Sequence, residues 1–301
     1  MTSDLFAASG IAAAAVLGAL AVHAGEAGAA NPRIPPGTYG QHLLDVALHD
    51  NSQVLVVAMH AKPPGFADNV IVASNIGRIG KRADADDQAV MTTGQSRLKV
   101  DSTGDRLEIE EVLRDVSGAT IGALGVVFPY KAGDDQHARR FQAEAIGAGL
   151  ARRIAHAGNL LDLWPYDAKF SDNTYAQRLV DETLAAHPEV IILAIHATPP
   201  GSRVNVILGS NIGRIGKKAD ADDLRVIDKG ETNREVGESG DRFEAEVPLL
   251  DAAGRRIGAL GVVFKFGPDS SKDALTARAI AIRDALARQI PSAARLARPA
   301  R

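Results

Sequence analysis

The sequence predicts an α+β protein built from two repeated domains, each a mostly antiparallel sheet of about five strands flanked by helices. Three observations carry that expectation. Residues 69–87 read NVIVASNIGRIGKRADADD and return at 205–223 as NVILGSNIGRIGKKADADD. The register holds without insertion from Tyr39/Tyr175 through Phe128/Phe264, and the shift, 175 minus 39, is 136 residues. Within each copy, short apolar runs and one alternating run have strand length and strand composition, while the segments at either end follow the helical period.

Taken in order, residues 39–49 form a helix with Leu44 and Leu48 four apart, and Val180 and Leu184 repeat the pair. Residues 54–59 and 190–195 are continuously apolar and rich in β-branched side chains, as buried strands are. His60 and His196 end these runs, Pro63-Pro64-Gly65 and Pro199-Pro200-Gly201 turn the chain, and residues 69–74 return as a second strand. Asp84 is a good N-cap for a short helix through Val90, and Asp86 and Asp87 then lie in its first turn, where carboxylates oppose the helix dipole. A first short strand falls near 97–100. Residues 105–113 then alternate. The second copy is cleaner, with Phe243, Ala245, Val247 and Leu249 on one face and Arg242, Glu244 and Glu246 on the other, the pattern of a half-exposed antiparallel strand. Tight turns at 115–118 and 251–254 lead into IGALGVVF as the last strand, and Ile146, Leu150 and Ile154, matched by Ile282, Leu286 and Ile290, mark a closing helix. The domains expected are 38–155 and 174–290, with 156–173 as a linker holding the single Trp164 and 291–301 as a basic tail.

Composition narrows the function classes. The formal net charge of -3 gives no basic excess for a phosphate-binding face, and with eight Phe, four Tyr and one Trp base-stacking platforms are scarce, so nucleic acid is not an expected partner. No cysteine is present, which excludes disulfides, Cys-based zinc sites, iron–sulfur clusters and covalent c-type haem. Residues 5–22 are small and apolar, and Ala27-Gly28-Ala29 or Val22-His23-Ala24 supplies a small-residue cleavage pattern, so residues 1–30 read as a secretory signal. The n-region lacks Lys and Arg and carries Asp4, which keeps a retained anchor and an ordinary helix open. The mature protein is expected in the periplasm or secreted.

This order of elements, with ASNIGRIG after the second strand and a D-x-x-G turn before IGALGVVF, resembles the extracytoplasmic Cache and PAS-like sensor domains over residues 39–155 and again 175–290. The resemblance implies a ligand pocket between the concave sheet face and the segment after the second strand. It departs from the family in repeating one unit nearly identically and in having no transmembrane output region in this sequence. The amino-acid-binding signature of that family is not visible.

The doubled stretch supplies the pocket segment, so His60, Asn75, Arg78 and Lys81, with His196, Asn211, Arg214 and Lys217, are the candidate ligand residues. The arginines would favour a small anionic or polar ligand. Each candidate has a plainer reading. Arg78 and Lys81 precede a helix N-terminus, an anion site in general, but Asp84, Asp86 and Asp87 already occupy it, so a turn and cap is the alternative. Those three aspartates lack the Gly-containing loop of a calcium site. His60 and His196 are the only histidines at matching positions. One per copy makes no metal site unless the copies face each other or other ligands join, so a hydrogen-bonded structural role or ligand contact is read first. Ser74 with His60 is the one candidate hydrolytic pair, without a nucleophile elbow or a third member. The expected function is an exported sensor-like protein that binds a small molecule, with no catalysis, no cofactor, no metal and no output domain. Alternatives are a structural or interaction module serving a membrane partner and, behind it, a small-molecule hydrolase. The repeats are expected to pack as an intramolecular pseudo-dimer.

Overall fold

The computed structural model describes residues 34–300; the apolar N-terminal stretch and its cleavage patterns lie outside the described residues. Repeat 1 runs α1 (Tyr39–Asp50), β1 (Val56–Ala61), β2 (Val70–Ser74), α2 (Ala85–Thr93), β3 (Arg97–Val100), β4 (Arg106–Arg114), β5 (Thr120–Pro129) and α3 (Gln136–Ala151). A 3-10 turn, Ala157–Leu161, follows. Repeat 2 runs α4 (Tyr175–Ala186), β6 (Val190–Ala197), β7 (Val206–Ser210), α5 (Ala221–Lys229), β8 (Asn233–Val236), β9 (Arg242–Leu250), β10 (Arg256–Lys265) and α6 (Lys272–Ala287), and α7 (Ala293–Leu296) comes last. The two sheets have the same order, β2-β1-β5-β4-β3 and β7-β6-β10-β9-β8, with every pairing antiparallel. The expected α+β class with two five-stranded antiparallel sheets flanked by helices is the observed one. Among the described residues no helix is long and apolar enough to cross a membrane.

Period-2 patterning sorts each sheet into two unlike faces. On one face, Val57, Met59, Leu107, Ile109, Leu124, Val126 and Phe128 meet Leu43, Leu44, Ile146 and Leu150 of α1 and α3 in a closed apolar core. Leu193, Ile195, Phe243, Val247, Leu260 and Phe264 do the same under α4 and α6. On the other face α2 packs on β4 and β5, and α5 packs on β9 and β10. Each repeat is therefore three layers deep, and the second, polar face of the sheet is roofed by one short helix. This corrects the expectation of a half-exposed strand at one position of each copy, where Glu110 is 5% and Glu246 4% exposed, while Glu244 stays exposed as expected. Alternation reports that two faces differ, and here the polar one is covered by the helix at Glu110 and Glu246 and open to water at Glu244.

Both short helices are held by the signals the sequence carries. Asp84 accepts from the amides of Asp86 and Asp87, and Asp87 accepts from Asp84 N, a reciprocal capping box. Asp220 and Asp223 repeat it. Gly94 and Gly230 end the helices in the left-handed conformation. The first helices are capped by threonine. Thr174 Oγ1 accepts from Gln177 N at 3.1 Å and donates to Leu208 O at 3.0 Å, tying α4 to β7. Thr174→Ala should cost about 1–2 kcal/mol in urea unfolding, more than Thr38→Ala, whose hydroxyl accepts one bond at 3.3 Å.

The repeats pack through unlike surfaces. Val116 and Ala155 of repeat 1 join Ile191, Ile192, Ile212 and Val263 of repeat 2 in one apolar cluster. Arg242 of β9 donates to Ala155 O at 2.7 Å and to the Asp115 carboxylate at 2.8 Å. Tyr39 donates toward Arg153 O and Asn211 O, and Asn159 of the linker donates to Ile212 O. The NIGRIG turn of repeat 2 is thus seated on repeat 1 and the linker. A Cβ on Gly213 would stand 2.6 Å from the Tyr39 ring, whereas one on Gly77 would meet nothing within 4 Å.

Candidate functional site

The doubled segment folds back on the second strand of its own repeat. Ile71 N donates to Lys81 O, Gly80 N to Ile71 O and Lys81 N to Arg78 O, and 205–219 repeat the pattern. The turn needs positive φ at Gly77, Arg78 and Gly80, and at Gly213, Arg214 and Gly216. Arg78 and Arg214, at φ 64 and 65, are the only non-glycines so placed among the described residues. The function of this turn in the fold is to deliver the Asp84 and Asp220 caps over the polar face of each sheet.

That face brings together residues from three elements. His60 is the penultimate residue of β1, within the strand and not beyond its end, and pairs across to Ala123 of β5; Gly125 of β5 pairs with Glu110 of β4. Ala123 and Gly125 leave a shallow floor, on which His60, Glu108 and Glu110 stand facing the first turn of α2. The His60 Nδ1 lies 2.8 Å from Asp87 Oδ2, with side chains 2% and 3% exposed. That is an ion-pair separation, and the same Asp87 oxygen also accepts from Asp84 N at 2.9 Å. One carboxylate oxygen each of Asp84, Asp87 and Glu110 falls within 4.8 Å of the others. In repeat 2 the His196 Nδ1 lies 3.5 Å from Asp223 Oδ2, and His196, Asp223 and Glu246 have one donor atom each within 4.8 Å of the others. Buried and without hydrogen-bond partners are His60 Nδ1, Glu110 Oε2, His196 Nδ1 and Glu246 Oε1.

The electrostatics follow from crowding carboxylates under a helix. Burial, then the charge of Asp87, pushes the Glu110 carboxyl up to about 8. Burial, then the bond to Asp223, raises Glu246 well above the carboxylate range. For Asp223 burial pulls upward, but the hydrogen bond with Glu246 and the neighbouring His196 outweigh it and hold the group low. Burial lowers the His196 pKa, with the charge of Asp223 opposing. Two carboxylates at bonding distance cannot both be ionised without a proton or a cation between them.

Of the residues singled out in the sequence, His60 and His196 lie in this cluster. Asn75 and Asn211 do not: each amide bridges the start of the first strand of its sheet. Asn75 accepts from Val57 N and donates to Leu55 O. Asn211 accepts from Leu193 N and donates to Ile191 O and Arg152 O. Asn211→Ala should cost about 2–4 kcal/mol in urea unfolding, against about 1–2 for the exposed Asn75→Ala. Equal losses would mean that the Arg152 contact contributes nothing. Arg214 reaches away from the cluster to Asp162 of the linker at 3.3 Å. Lys217 is near enough to His196 for its charge to be felt. Arg78 and Lys81 belong to the exposed turn of repeat 1. Ser74 Oγ accepts from Ile76 N, a turn bond.

Sequence reasoning missed Glu110, Glu246 and the site role of Asp87 and Asp223. The signal that finds them is the repeat itself: of the acidic residues, Asp84, Asp87, Glu108 and Glu110 are among those that return as carboxylates 136 positions later, at Asp220, Asp223, Glu244 and Glu246.

No protein-family model matches the chain, and no curated protein matches it. Solved structures with partial likeness include a protein described as a GAF sensor from Burkholderia vietnamiensis, 17% identical, covering 36% of this chain and 70% of its own at a TM-score of 0.29. Others are the repressor BlcR of Agobacterium tumefaciens, at 14% identity, 37% and 67% coverage and a TM-score of 0.27, and the inducer-binding domain of the transcription factor PobR from Acinetobacter in complex with 3-hydroxybenzoic acid, at 12%, 37% and 95%, and 0.27.

Proposed function

We propose that this protein is a tandem, Cache/PAS-like ligand-binding protein of the sensor type, without catalysis, in which each repeat accepts a small cationic ligand beneath its short helix. One observation carries the reading: the same histidine, aspartate and glutamate meet under the roof helix in both repeats, and a buried oxygen of the glutamate, Glu110 or Glu246, has no hydrogen-bond partner in either. Leaving such groups unsatisfied costs about 1–3 kcal/mol each, more when charged, so a purely structural cluster would be a liability twice over. The acidic balance, with Asp84, Asp87, Glu108 and Glu110 around His60, favours a cation over the anion that the arginines suggested. The apolar segment at 5–22 with its cleavage pattern supports an exported protein, tested by the mass of material from the native host, which should start between Gly25 and Asn31.

The binding reading is tested by thermal unfolding with a panel of small cations, organic ammonium ions and metal ions together, and by native mass spectrometry of protein purified without chelator. A ligand at 100 times its Kd stabilises by about 2.7 kcal/mol, several degrees for a domain of this size. The reading fails if no bound species is found and no cation of the panel moves the midpoint.

A further inference from the structure

We infer that the occupant of each cluster is a divalent metal ion, a first-row transition metal in repeat 2, held by His196, Asp223 and Glu246, and a dication on oxygen ligands in repeat 1, held by Asp84, Asp87 and Glu110. The inference rests on the ligand-binding reading and specifies its chemistry. Two features point the same way. The donor atoms of each trio already lie within 4.8 Å of one another before any ion draws them in. At the usual bond lengths of about 2.0–2.2 Å, two ligands of a tetrahedral ion stand about 3.3 Å apart, and His196 Nδ1 and Asp223 Oδ2 are at 3.5 Å. The aspartates are held by their capping bonds, while the glutamate of each trio brings an oxygen that nothing in the fold satisfies. His60 is 2% and His196 7% exposed, and the Nδ1 of each is without a hydrogen-bond partner, as are Glu110 Oε2 and Glu246 Oε1.

Charge and donor type select the ion. Two carboxylates and a neutral imidazole compensate a dication fully. The imidazole nitrogen of repeat 2 favours Zn2+, Co2+, Ni2+ or Fe2+ over Ca2+ and Mg2+, which take oxygen shells. The three carboxylates of repeat 1 make its site the more oxygen-rich of the two. Asp223, with a side chain 14% exposed, is the side from which an ion reaches the second site.

The test uses the full-length chain, dialysed against chelator and titrated with Co2+ and Zn2+ by calorimetry, with Co2+ absorption in the visible as the report of nitrogen ligation. Two ions per chain are expected. Glu246→Gln and Glu110→Gln should each weaken one site at least about 100-fold, since even outer-shell losses cost 10–100-fold, and the double variant should bind neither ion. Far-UV circular dichroism in chelator checks that the variants are folded, and His196→Asn serves in place of Glu246→Gln if that variant is not. The inference is overturned if Co2+ binds to neither site, or if both ions bind the double glutamine variant as before. An organic ammonium ion that binds the wild type and not the double variant, with no response to Co2+, would remove the metal and keep the ligand-binding reading. No response to any cation would remove both.

Discussion

Gly122→Ala and Gly258→Ala are each expected to abolish the native pairing of their sheet. A Cβ on Gly122 would stand 1.7 Å from the carbonyl oxygen of His60, and one on Gly258 1.8 Å from that of His196. The obstacle is backbone in the middle of a five-stranded sheet, so it cannot rotate away. The bulge of β5 against β4 falls between Thr120 and Gly122, and that of β10 against β9 between Arg256 and Gly258, so each glycine adjoins an irregularity of its own strand. The cost is at least about 4 kcal/mol, in the range reached only by a named steric or polar fault. Urea unfolding followed by circular dichroism measures it. Gly149→Ala is the control, exposed in the interior of α3 with nothing within 4 Å of a new Cβ, and it should gain up to about 1 kcal/mol. If all three variants unfold alike, the register at His60 is wrong and the floor of the site with it.

Arg242→Ala should cost about 3 kcal/mol and break the single unfolding transition into two. Its guanidinium is the cation for Asp115, whose side chain is 5% exposed, and it also caps Ala155 O. Removing one partner of a buried pair strands the other. Asp115 keeps its turn bonds from Ser117 N, Ser117 Oγ and Ala119 N, so the loss falls on the junction between repeats and not on the turn. A double-mutant cycle with Asp115→Asn should show a coupling on the order of 1–3 kcal/mol. A loss below about 0.5 kcal/mol with one cooperative transition would show that the apolar cluster alone joins the repeats. The equivalent aspartate of repeat 2, Asp251, pairs with Arg255 inside its own turn, so Arg255→Ala should leave the junction intact.

Much of the fold is legible because local rules and the repeat agree. Asp84 and Asp220 cap helices where an acidic N-cap predicts them, and the short strand at Arg97–Val100 sits where the alternation resumes. The site is legible only in part. Matching positions select His60 and His196, but the alternating Arg242, Glu244 and Glu246 read as a wet face. What covers that face is a helix nearly twenty residues upstream, and periodicity within one strand carries no information about it. Asn75 and Asn211 were attractive as pocket residues because they adjoin the apolar strands. Their amides are used instead where the edge of the sheet needs an acceptor and a donor at once, a long-range demand that residue type alone does not reveal.

The NIGRIG turn is spelled identically in both repeats, yet it lies open in one and inside the molecule in the other. Two different filters therefore preserve one spelling. In the first copy a substitution at Gly77 answers only to the handedness of the backbone, a penalty of roughly 1 kcal/mol. In the second, at Gly213, it must also displace the aromatic ring of Tyr39. Saturation mutagenesis of the two hexapeptides should find a pliable copy and a rigid one. A pair of duplicated segments freed to diverge would lose their likeness from the first repeat inward.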